Sequence, residues 1–180
     1  MGLDDWNLSI KYAKAFFNIH GAQLQEADFW KIRQAAAALV KNKSALNVFS
    51  LYNQFEQQKV IAIILNHFKL SLHFGKLLLL LQNHKRILLL PDVLNEVSEL
   101  FLHQNKQLFF QISSYPLLSG AQQEHIVVYL QRTTGMKILY NVRQDQALIS
   151  GVKMQSKYLL YEDTISNRLQ KIHRKLVRQN

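Results

Sequence analysis

The apolar residues of this 180-residue chain change their period once, and the change falls at Gln104-Asn105-Lys106. Before it, apolar side chains recur at three- and four-residue spacing, which gathers them on one face of a helix. After it they alternate, which gathers them on one face of a strand. A chain patterned this way is expected to fold as an α+β protein: a six-helix bundle over 1–105, then a small α+β unit with a short mixed sheet over 106–180. The second part holds about 75 residues, a small core for an independent unit.

The stripes of the first part predict six helices. Trp6 to His20 carries Leu8, Tyr12, Ala15, Phe16 and Ile19 on one side, with Lys11, Lys14 and Asn18 off it, and Gly21 fits a stop. Phe29, Ile32, Ala36, Leu39 and Val40 make a second helix whose alanine-rich middle lets a neighbour pack closely. A short third helix begins at a Ser44 cap and carries Leu46, Val48, Phe49 and Tyr52; a fourth runs from Gln57 or Lys59 through Val60, Ile63, Ile64 and His67. Ser71 to Gln82 is the fifth and Lys85 to Gln104 the sixth, in which Pro91 imposes a kink or a late start. Leu77-Leu78-Leu79-Leu80-Leu81 is apolar on every side, so the fifth helix either lies at the centre of the bundle or has a partner on its outer face.

In the second part, Leu108 to Tyr115 reads as a strand ended by Pro116. Ser119 caps a helix carrying Ile126, Val127 and Leu130 that stops at Gly135, and Lys137 to Val142 alternates again. Asp145 to Leu169 is the densest segment. A polar turn leads into Leu148, Ser150, Val152 and Met154, alternating with Ile149, Gly151, Lys153 and Gln155, which predicts a strand. A second short strand is expected at Tyr158 to Tyr161. Glu162-Asp163-Thr164 then supplies a cap for a helix with apolar positions Ile165, Leu169, Ile172 and Leu176. Gly151 either permits a close backbone approach or unusual turn, or marks a β-bulge.

Several classes of chemistry are excluded or unsupported. With no cysteine there is no disulfide, thiolate metal site or cysteine nucleophile. The seven histidines never fall at close ligand spacing, and there is no GxSxG, Gly-rich phosphate loop or dinucleotide fingerprint, so neither catalysis nor a metal or cofactor is expected. The unbroken apolar runs, Leu77 to Leu81 and Ile87 to Pro91 among them, are far short of a membrane span. MGLDDWNLS has neither signal-peptide nor presequence character. The charge of +10 is concentrated late: residues 106 to 180 hold eleven Lys/Arg against four Asp/Glu, and from Arg168 onward there are five basic residues and no acid. Such a field speeds encounter with an acidic partner, be it nucleic acid, anionic lipid or protein.

Four blocks of sequence, taken together, resemble the δ subunit of F-type ATP synthases, called the oligomycin-sensitivity-conferring protein in mitochondria. Asp145, Leu148-Ile149-Ser150-Gly151-Val152, Ser156-Lys157, Glu162-Asp163-Thr164 and Arg168-Leu169 are similar to that family's C-terminal signature, with Ser150 and Ser156 where it has glycines. Tyr12-Ala13-Lys14-Ala15 is similar to the opening of its first helix. Asn83 with Arg86 and Leu90-Pro91-Asp92-Val93-Leu94 resembles its fifth-to-sixth helix junction, and Tyr115-Pro116-Leu117-Leu118-Ser119 with Gln122-Gln123 resembles the start of its second domain. The resemblance implies a non-catalytic stator subunit. Its helical domain would bind the N-terminal helix of an α subunit of the catalytic headpiece, and its second domain would hold the C-terminal ends of the b subunits of the peripheral stalk. The expected location is peripheral, on the cytoplasmic side of a bacterial plasma membrane.

By the same analogy the α-helix groove lies between the first and fifth helices, where Tyr12, Ala15 and Ile19 face Lys76, Leu79 and Leu80, while Phe16, Leu78 and Leu81 fill the core. The stalk contact is expected at Asp145, Leu148, Ile149, Gly151 and Val152 and at the basic helix with Arg168, Lys171 and Lys175, whose charges suit acidic stalk residues. Asp163-Thr164 reads as a helix cap rather than a contact. A rival from another class is a nucleic-acid-binding adaptor, in which some of Phe109, Phe110, Tyr115, Tyr140, Tyr158 and Tyr161 stack on bases.

Overall fold

The computed structural model describes residues 3–50 and 54–177, with side chains described at all of these except residues 3, 43, 45, 49, 50, 54, 55, 57, 173 and 175–177. Tyr52 of the expectations above lies outside the described residues, as do the side chains of Phe49, Lys175 and Leu176. The chain divides between Phe101 and Leu102 into two compact units.

The first unit is built from six helices: α1 (Leu3–His20), α2 (Glu26–Lys41), α3 (Lys43–Ser50), α4 (Gln54–Phe68), α5 (Leu72–Asn83) and α6 (Leu90–Gln104), the last running past the division. Every helix sends apolar side chains inward, among them Phe16, Ile32, Leu39, Leu46, Leu65, Leu78 and Val93. Burying each such side chain is worth about 1.5–3 kcal/mol. Ala35 and Ala36 are wholly buried and supply the close approach expected of the middle of α2. Pro91 is the second residue of α6, where no backbone N–H is required, and a 3₁₀ turn at Ile87–Leu89 precedes it; the late start is the form the proline takes.

Two expected stripes are rotated. On α1, Ala13 is buried and Ile19 is 71% exposed. On α4, Ile61 and Leu65 face the core while Ile63 is 65% exposed. Both helices carry apolar residues on more than one side, so spacing alone did not choose the inner face. Three helix ends, after α4, α5 and α6, close on a left-handed residue that is lysine rather than glycine: Lys69, Lys85 and Lys106.

The second unit runs β1 (Gln107–Tyr115), α7 (Gly120–Thr134), β2 (Lys137–Gln144), β3 (Gly151–Gln155), β4 (Leu160–Thr164) and α8 (Ile165–Val177). The sheet order is β2-β1-β3-β4: β1 and β2 are parallel and joined through α7, while β3 pairs antiparallel with both β1 and β4. A capping box opens α7, with the Gln122 N–H donating to Ser119 Oγ at 3.4 Å and the Ser119 N–H to Gln122 Oε1 at 2.9 Å, and Gly135 closes it at φ 68°. Phe110, Ile112, Leu130 and Ile138 form the core, with Val152, Met154 and Tyr161 packed against it.

The strands around Gly151 both begin later than the alternation predicts. Residues 146–148 make a 3₁₀ turn, and β3 begins only at Gly151. Asp145 causes this: its Oδ1 accepts from the Ala147 N–H at 3.1 Å and so folds the chain before it can extend. Tyr158 lies in a turn rather than a strand. Ser156 Oγ accepts the N–H groups of Tyr158 (3.3 Å) and Leu159 (2.9 Å), which delays β4 to Leu160.

Candidate interaction surfaces

Side-chain contacts join α1 to α5. The Phe16 and Phe74 rings lie 4.6 Å apart, those of His20 and His73 stack at 4.0 Å, and Arg86, just beyond α5, donates to the Tyr12 hydroxyl at 3.1 Å. Phe16, Leu78 and Leu81 are buried in the core. Above that floor the flanks stay open. Ala15 and Lys76 are exposed, Ile19 is 71% and Leu80 45% exposed, and Tyr12 is half-buried. His73, Lys76 and Leu80, at i, i+3 and i+7, share the side of α5 nearest His20. Leu79 is turned about 100° from Leu80 and is partly buried against the core. The imidazole of His20 is held below its ordinary pKa, first by partial loss of water and then by His73 and the Lys76 ammonium.

In the second unit the signature residues form one tightly bonded corner. The Asp145 N–H donates to the Ser114 carbonyl at 3.0 Å, Leu148 is buried, and the Ser150 carbonyl accepts from the Ile165 N–H at 2.9 Å. Gly151 sits at φ 110°, paired with Tyr115 on one side and Thr164 on the other; a Cβ there would strike the Asp163 carbonyl oxygen and stand 2.8 Å from Thr164 Cα. The close approach that needs a glycine is made by this chain's own β4. Val152 is half-buried against the sheet core. Thr164, buried, caps α8 by accepting from the Asn167 N–H at 3.2 Å, whereas Asp163, the next-to-last residue of β4, pairs with Arg168 at 2.7 Å on the surface. Lys171 is exposed.

Sequence reasoning missed the apolar side of α8 as surface. Ile165, Leu169 and Ile172 are 43%, 53% and 55% exposed, and beside them Ile149 is 52% exposed. The signal is available in their i, i+4, i+7 spacing, which marks an apolar face without saying what covers it. For the nucleic-acid alternative, Phe110 is fully buried and Phe109 nearly so, Tyr115, Tyr140 and Tyr161 are half-buried, and Tyr158 is the exposed ring of the six. Among the described residues no cluster of three or more His, Asp or Glu side chains has the arrangement of a metal site, and no helix is long and apolar enough to cross a membrane.

The architecture defines the class: a two-unit α+β protein, its first unit helical and its second built on a four-stranded mixed sheet. The family of the ATP synthase delta (OSCP) subunit matches residues 8–176, and the chain belongs to it, as a subunit of the ATP synthase complex. It is 26% identical over 167 residues to ATP synthase subunit delta of Shewanella amazonensis, covering 92% of this chain and 93% of that one. To the subunit delta of Acinetobacter baylyi it is 27% identical over 177 residues, covering 94% and 96%. A chain of the Toxoplasma gondii mitochondrial ATP synthase hexamer shares the fold with a TM-score of 0.68 at 16% identity, over 94% of this chain and 97% of that one.

Proposed function

We propose that this subunit is a non-catalytic stator component that ties the catalytic headpiece to the peripheral stalk, so that rotor torque is converted rather than lost. In this reading the first unit, over 1–105, receives the N-terminal helix of an α subunit between α1 and α5. The second, over 106–180, holds the C-terminal ends of the b subunits through the corner of Asp145, Leu148, Ile149, Gly151 and Val152 and the basic helix with Arg168, Lys171 and Lys175. The protein is thereby peripheral to the cytoplasmic side of a bacterial plasma membrane, with no small-molecule substrate.

The observation that carries the first contact is the exposure of Ile19 and Leu80 beside a seam already closed beneath them by Phe16 and Phe74. An amphipathic helix laid there would cover aliphatic surface that a lone subunit leaves wet. The test is titration of a peptide copying the N-terminal helix of the organism's own α subunit. Ile19→Asp should weaken binding about tenfold or more, the order expected from losing one buried aliphatic contact, while leaving the melting temperature unchanged. Equal affinity of parent and variant would rule the groove out.

A further inference from the structure

Ile149 occupies a backbone conformation that β-branched residues rarely adopt. Its φ is 64° and its ψ −55°, and the Ser150 N–H donates to the Leu148 carbonyl at 2.7 Å, which closes a strained three-residue γ-turn around it. The surroundings over-determine this geometry. Leu148 is buried as an anchor, Asp145 fixes the turn before it, and Ser150 is tied to the first residue of α8. The isoleucine side chain itself is 52% exposed. A glycine would satisfy the same turn without strain. Strain retained at an exposed residue points to use by a partner.

Beside the turn, α8 presents Ile165, Leu169 and Ile172 in a row, each close to half exposed, with Lys171 and Arg174 also exposed on the helix. We propose that Ile149 and this row form one docking face for an amphipathic helix with acidic flanks, and that Ile149 is its specificity-determining knob. The inference rests on the reading of this unit as the stalk-binding one and assigns the occupant to a b-subunit helix. Charge argues for the acidic flanks: the helix from Arg168 onward has no acid, so a second copy of the chain would bring like charge to like. The fixed turn argues for a packed helix over a lipid surface, since a rigidly held aliphatic knob is matched by a hole between side chains and gains nothing from fluid lipid.

The experiment measures binding of the full chain to the soluble part of the organism's own b subunit, together with thermal melting. Ile149→Gly should melt at the same or a higher temperature than the parent yet bind at least tenfold more weakly. Ile149→Ala, which removes the side chain but not the strain, should also bind more weakly, with no gain in melting temperature. Parental affinity in both variants, with binding lost in Leu169→Ser, would overturn the role of Ile149 while leaving the stalk reading intact. A fall in melting temperature for Ile149→Gly would overturn the claim that the strain serves binding. Failure of the parent itself to bind the b segment, with flotation on phosphatidylglycerol vesicles, would overturn both readings in favour of a lipid surface.

Discussion

Replacing Gly151 with alanine tests the account of the second unit most sharply. The methyl group would meet the Asp163 carbonyl oxygen, with Thr164 Cα at 2.8 Å and Asp163 C at 3.1 Å, and all three are backbone atoms of β4 held in register with β3. No rotamer change relieves such a contact, so β4 must move. Forcing a non-glycine residue to φ 110° costs about 1–3 kcal/mol. Displacing β4 sacrifices roughly two ladder hydrogen bonds at about 1 kcal/mol each. The combined loss, about 3–5 kcal/mol, is a large share of the roughly 4–12 kcal/mol that a unit of some 80 residues possesses. At about 4–8 °C per kcal/mol, calorimetry should show a transition lowered by ten degrees or more. Hydrogen exchange should accelerate in Gly151–Gln155 and Leu160–Thr164. Gly120→Ala is the control: a Cβ there meets nothing within 4 Å, and at the start of α7 the change should be neutral or stabilise by up to about 1 kcal/mol. If Gly151→Ala melts within about 2 °C of the parent, the steric argument is wrong.

Leu78, 2% exposed, lines a small apolar void with Ala35, Leu39, Ile64, Leu70, Phe74, Leu90 and Leu94, so Leu78→Ala should lose about 2–5 kcal/mol by urea denaturation. Ile19→Ser should stay within about 0.5 kcal/mol of the parent in the same assay. The lowered pKa of His20 means the native state binds fewer protons than the unfolded chain as pH falls through 6.5. Stability attributable to His20 is therefore present above that pH and is lost below it, and His20→Gln should flatten the fall in urea midpoint between pH 8 and pH 5.5; an unchanged slope would refute the assignment.

The helices of the first unit were legible because each keeps apolar residues at helical spacing long enough to overrule local ambiguity, and Pro91 announced the late start of α6. Which apolar residues faced inward was less legible. Ile19 and Ile63 are as apolar as their buried neighbours Phe16 and Ile61, and only the placement of the other helices decides between them. In the second unit Ser119 and Gly135 marked the ends of α7 correctly, since capping is local chemistry. The strands near Gly151 were misjudged for the same reason in reverse: side chains of Asp145 and Ser156 bond to nearby backbone, and that competition outweighs alternation. Of the surface residues, Ile19 and Leu80 were named from the sequence, whereas the strain at Ile149 has no sequence signature, because the residue there is one that should avoid it.

The position of β1 has a consequence for how the protein is made. Synthesis supplies β1 before either of its neighbours, and the partner on one of its sides is β2, already present when the ribosome reaches Ser150. The other side stays naked until Gly151–Gln155 has been added. For that interval a nascent chain exposes an open edge flanking the buried Ile112, Ser113 and Ser114, available to any second strand it meets. Five late residues thus stand between orderly closure and clumping, which makes premature stops ahead of them hazardous in a way that loss of the helix beyond would not be.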